Sequence, residues 1–274
     1  MAASHADIVA TRLIAGGAAA LAFSVFADSG LEHYRGSFAN PTMVLPIGSA
    51  VLGLTMNGRR SAKPESSGSE VPTISHVGSA AIGVIGLGFH AYNILKRPGG
   101  ASFNNLFYGA PAGAPATLIL SGMLGGIADR MAKGEETIAT LGLRSGRMVA
   151  GVVSIGILGS VAEAGLLHFR GAYHDPFMWL PVTLPPVAAL SLARDVVSDE
   201  AHSITTGLLA ATAALGLIGV GFHAYGVARN MGGFRNWRQN ILAGPPLPAP
   251  PAFTGLAIAG LGALLLMKKG SRRG

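Results

Sequence analysis

"GLEHYRGSFANP" (residues 30–41) lies between two strongly apolar stretches and returns 135 positions later as "GLLHFRGAYHDP" (165–176). At that offset Asp28 matches Glu163, His33 matches His168, Arg35 matches Arg170, Met43 matches Met178 and Pro46 matches Pro181. Two further echoes extend the match. "GFHAY" (88–92) recurs at 221–225, and "NLFYGAPAGAP" (105–115) reappears in degraded form as "NILAGPPLPAP" (240–250). The chain reads as one four-span unit used twice, residues 1–135 and 136–274.

The composition says what those units are made of. Of 274 residues 50% are hydrophobic and only 12% charged, with 40 Gly and 16 Pro, too apolar for a water-soluble domain of this size. Apolar runs at 8–26, 43–56, 71–91, 110–128, 148–167, 176–192, 204–225 and 251–267 approach the ~20 residues that a helix needs to cross the hydrocarbon. The expected fold is all-α: a polytopic membrane protein of eight transmembrane helices, arranged as two parallel four-helix repeats. An even number of spans inserts both units the same way up, related by a pseudo-twofold axis along the membrane normal. The first run resembles a signal peptide, yet its counterpart at 149–165 lies mid-chain, so 8–26 is read as a retained span. Pro46, Pro181, Pro185 and Pro186 predict kinks or unwound turns.

The formal charge of +7 reflects membrane topology rather than nucleic-acid binding, because the basic residues sit in short loops between apolar runs. Arg12, Arg59, Arg60, Lys63, Arg130, Lys133, Arg144, Arg147, Arg194, Lys268, Lys269, Arg272 and Arg273 fall on one face. Arg35, Lys96, Arg97, Arg170, Arg229, Arg235 and Arg238 fall on the other. The positive-inside rule then places both termini in the cytoplasm, at the cytoplasmic (inner) membrane, with the "HYRG" segment outward. The absence of Cys excludes disulfides, c-type haem attachment and cysteine-ligated clusters, so a redox centre must use histidine, carboxylate or an organic cofactor.

The repeat sorts the eight histidines. His33 pairs with His168 and His90 with His223, whereas His5, His76, His174 and His202 have no partner and are set aside. The four paired imidazoles are expected near the outward rim, with Asp28 and Glu163, Arg35 and Arg170, and the neighbouring Tyr34, Tyr92 and Tyr225. Imidazoles from two helices can ligate b-type haem, and arginine at the aqueous edge can pair with its propionates. The 14-residue spacing of His76 and His90 resembles one helix of cytochrome b of respiratory complexes. In the second unit Leu209 stands where His76 should be matched, so that two-haem stack is not carried over. A non-haem iron site from Asp28, His33 and His90, repeated by Glu163, His168 and His223, is the second metal chemistry. It needs the first helix to unwind, because five residues turn about 140° on a regular helix.

The connections 96–115 and 229–250 are long, aromatic and poor in acids, which suits docking of a periplasmic or extracellular redox protein. The expected function is that of an oxidoreductase's membrane subunit, passing electrons from such a partner through haem to quinone in the bilayer. The alternatives are an anchor without a redox centre, a non-haem metal enzyme and a transporter.

Overall fold

The computed structural model describes residues 4–65, 71–135, 137–138 and 143–271. Arg272 and Arg273 lie outside them, and the expected junction at 135–136 adjoins residue 136, also outside them. The helices are α1 (His5–Arg35), α2 (Leu45–Ala62), α3 (Val71–Leu95), α4 (Phe103–Phe107), α5 (Gly113–Ala132), α6 (Ser145–Arg170), α7 (Leu180–Ser198), α8 (Ser203–Ala228), α9 (Trp237–Ala243) and α10 (Pro251–Ser271). A two-residue bridge, Thr137–Ile138 with Leu143–Arg144, is the β structure among the described residues.

The molecule is an all-helical, multi-pass membrane protein. Among the described residues six helical segments are long and apolar enough to cross a bilayer: α1, α3, α6, Pro176–Ser198, α8 and α10. The apolar runs expected at 43–56 and 110–128 fall on α2 and α5, which end in "NGRRSA" and "ADRMA" and are less apolar for it.

Helix starts follow local chemistry. Ser4 caps α1 in a capping box with Asp7, whose carboxylate also takes Lys269 Nζ of α10 at 2.6 Å and so ties the start of α1 to the end of α10. Asn40 and Asp175 each cap a short 3₁₀ turn by accepting from the backbone two residues on. Pro46 and Pro181 do not kink their helices. Both stand in the first turn, where the missing N–H has no intrahelical partner to lose. Pro185 and Pro186 do lie inside α7.

α1 is central and packs on α2, α5 and α10, while α10 also packs on α6 and α8. Lipid offers no hydrophobic drive to join helices, so close approach of small residues does much of the work. Gly17 sits against the Gly255 carbonyl and Ala259, leaving no room for a side chain between α1 and α10. The repeated sequence is matched by repeated contacts. Gly83 packs on the backbone of Pro115 and Ile119, and Gly216 packs on that of Pro250 and Thr254.

Candidate ligand cavity at the histidine rim

The signature residues of both copies turn to backbone carbonyls of the connecting loops. His33 Nδ1 lies 2.7 Å from Met43 O and His168 Nδ1 2.7 Å from Met178 O. His90 Nδ1 lies 2.6 Å from Pro111 O and His223 Nδ1 2.7 Å from Pro246 O. A carbonyl only accepts, so Nδ1 carries the hydrogen in each ring, and a neutral ring then offers a bare lone pair at Nε2. Such a carbonyl contact also orients imidazoles that bind metal.

The arginines cross between the sequence halves. Arg35 Nη2 donates to Ile241 O at 3.2 Å and Gly244 O at 3.4 Å, and Arg170 Nη2 donates to Leu106 O and Gly109 O, both at 3.4 Å. Arg35 also pairs with Glu32. Asn105 and Asn240 fold the loops themselves, Asn105 Nδ2 donating to Pro98 O and Gly100 O, and Asn240 Nδ2 to Met231 O and Gly233 O. Glycines at positive φ, Gly99 and Gly100 in one loop and Gly232 and Gly233 in the other, make those turns possible.

A cavity of about 540 Å³ opens among α1, α5, α6, α8 and α10. Its mouth carries Glu32, Arg35, Arg170, Tyr225 and Arg229, and its walls include Leu167, Met178, Leu215, Phe222 and Phe253. His168, His223, Asp28 and Glu163 line it, and so does His174. On α1 the lining runs from Arg35 down to Ser24, about 16 Å of helix at 1.5 Å per residue.

The two carboxylates are held differently. Glu163 Oε1 accepts from Gly113 N at 2.9 Å. The matching position in the second half is Pro248, which has no N–H, and Asp28 has no hydrogen-bond partner among the described residues. Gly113 is obligatory for this contact, because a Cβ there would overlap the Glu163 carboxylate. Gly113→Ala is expected to swing Glu163 out and reshape the cavity, seen as a loss of at least tenfold in ligand affinity with the thermal midpoint little changed.

The structure brings His168 together with His223, and His33 within electrostatic range of His90. His33 and His90 do not line the cavity, so four imidazoles do not converge on one space. α1 runs unbroken through Arg35, which keeps Asp28 and His33 on different faces, and Asp28 is grouped with Glu32 and Glu163 instead. Among the described residues no three His, Asp or Glu side chains are arranged to hold a metal ion. Tyr34, Tyr92 and Tyr225 are exposed; Tyr34 Oη accepts from Arg238 Nη2 at 2.6 Å, and Lys96 and Arg229 stack over Tyr92 and Tyr225.

Sequence reasoning missed a second polar group. Arg60, His76 and Asp129 meet inside the bundle, all nearly inaccessible. His76 was set aside for want of a repeat partner, whereas an ionisable residue matched by leucine in the other copy is itself a signal. No family model, curated protein or solved structure matches the chain.

Proposed function

We propose that the chain forms two four-helix units, residues 1–135 and 136–274, eight spans in all, related by a pseudo-twofold axis along the membrane normal. The reciprocal reach of Arg35 and Arg170 and the matched histidine, asparagine and glycine contacts support this reading. The charge distribution supports a cytoplasmic-membrane location with both termini inside and the histidine rim outward.

In this reading the protein is the membrane subunit of an oxidoreductase, carrying a redox ligand in the rim cavity. The observation that carries it is the exposure of His168 and His223, each with Nδ1 committed to a carbonyl, to one apolar-walled space. The residues there fit b-type haem: two imidazoles from different helices for the iron, and Arg35, Arg170 and Arg229 at the mouth for propionates. When bound, that haem supplies one-electron storage. His33 and His90 do not line this cavity, so the reading places one site at the second histidine pair. Quinone would reach the site from the bilayer. Phe103, Tyr108, Phe234 and Trp237 are exposed on the loops 96–115 and 229–250 and suit docking of a soluble electron donor.

A second reading is an anchor with no redox centre. The histidine–carbonyl bonds favour it, because they staple the loops whether or not a ligand binds. An absorption spectrum of the detergent-purified protein separates the two. The redox reading expects a Soret band that disappears in His168→Ala and in His223→Ala. A spectrum without that band, from protein that also carries no quinone, leaves the anchor.

A further inference from the structure

Asn57 and Arg60 on α2, His76 on α3, and Ser121 and Asp129 on α5 are each more than nine-tenths buried. Asp129 organises them: its Oδ1 accepts from Arg60 Nε at 2.7 Å, and its Oδ2 lies 3.4 Å from His76 Nε2. Ser121 Oγ gives its proton to Ala18 O at 2.8 Å, so towards Asn57 it can only accept, and Asn57 Nδ2 donates to it at 3.4 Å. That fixes the amide. Asn57 Oδ1 and His76 Nδ1 both close on Gly125, where an added Cβ would collide with each of them.

Neither atom has a hydrogen-bond partner among the described residues. A carboxylate only accepts, so a neutral His76 carries its hydrogen on Nε2, facing Asp129, and Nδ1 is left with a lone pair. Two buried acceptors therefore stand together beside Gly125 with no donor among the described residues, and buried polar groups are rarely left that way.

We infer that one water molecule bridges Asn57 Oδ1 and His76 Nδ1, giving one hydrogen to each. Water is the smallest ligand that donates twice, and a buried water needs two to four such partners. The cluster is not a demand of the fold. At the matching positions of the second unit Asn57 becomes Leu192, His76 becomes Leu209, Ser121 becomes Leu256 and Asp129 becomes Leu264, all four leucines fully or almost fully buried. Gly260, the match of Gly125, is covered by Leu209. That comparison rests on the two-unit reading, while the hydrogen-bond accounting does not. One copy is dry and the other is built for water beside an imidazole and a carboxylate, the chemistry by which membrane proteins hold and pass protons.

The test is solid-state NMR of the full chain in lipid bilayers with ¹⁵N-labelled histidine. The site predicts hydrogen on His76 Nε2, polarisation transfer from water protons to Nδ1, and loss of that transfer in Gly125→Ala, whose methyl would press on both acceptors. A dry Nδ1 in the unsubstituted protein overturns the inference. So does an imidazolium bonded directly to Asn57 Oδ1. Both readouts are independent of any redox ligand, so a missing Soret band leaves this site standing, and a dry gap leaves the haem reading standing.

Discussion

Asp129→Leu alone is expected to destabilise the protein by about 3–5 kcal/mol, the usual cost of removing one partner of a buried ion pair. Arg60 and Asp129 keep only 6% and 5% of their side-chain surface accessible, so solvent cannot replace the lost carboxylate. Most of the loss lies in stranding Arg60 rather than in the pair's own worth. Asp129→Leu combined with Arg60→Met should therefore recover the larger part of it, since apolar replacement of a whole buried pair is often neutral. The positions 135 residues further on show such an arrangement: Leu264 stands where Asp129 is matched, and Asp195, the sequence match of Arg60, turns to His202 N at 3.0 Å and Nδ1 at 2.8 Å. Thermal unfolding in detergent reads both variants. A single substitution that costs as little as the double one would contradict this account of the pair.

Gly17→Val should cost about 3 kcal/mol, near the upper end of ordinary overpacking. The obstruction is not a side chain that can move: a Cβ at Gly17 would strike the Gly255 carbonyl and the Ala259 backbone nitrogen. α1 and α10 would have to separate along a contact that joins the two sequence halves. Valine is what the chain itself carries at the matching position, Val152 on α6, and Leu120 stands where Gly255 is matched on α5. The α5–α6 crossing is accordingly the looser of the two, and the cavity opens beside it. Val152→Gly should thus be far milder than Gly17→Val. Equal midpoints for the two variants would undo the idea that small residues hold one seam shut while larger ones hold the other ajar.

Six of the eight expected spans were legible because hydrophobic length is a property of the sequence alone, whereas the runs at 43–56 and 110–128 fall on α2 and α5, which are not among the helices long and apolar enough to cross a bilayer. The duplicated motif was legible too, but the work its residues do was not. His33, His168, Arg35 and Arg170 bind backbone carbonyls, and a carbonyl belongs to every residue, so no letter in the sequence marks the partner. Pro46 and Pro181 predict kinks or unwound turns because each lies inside its apolar run; a 3₁₀ turn capped by Asn40 or Asp175 precedes each of them, so that each proline falls in the first turn of its helix. The repeat was also used as a filter for chemistry, and it selects what both copies need in order to fold. It kept the loop-stapling histidines and discarded His76, whose surroundings exist in one copy only. Asymmetry between Gly113 and Pro248, or between His76 and Leu209, is where the two sequence copies part and where distinct roles can lie.

Native mass spectrometry of the protein released from detergent tests the central claim most directly. The account predicts one redox ligand per chain, haem or quinone in mass, retained in His33→Ala and His90→Ala and lost in His168→Ala and His223→Ala. A bare chain in the unsubstituted protein, or a ligand lost equally from all four variants, would contradict a cavity that belongs to the second histidine pair.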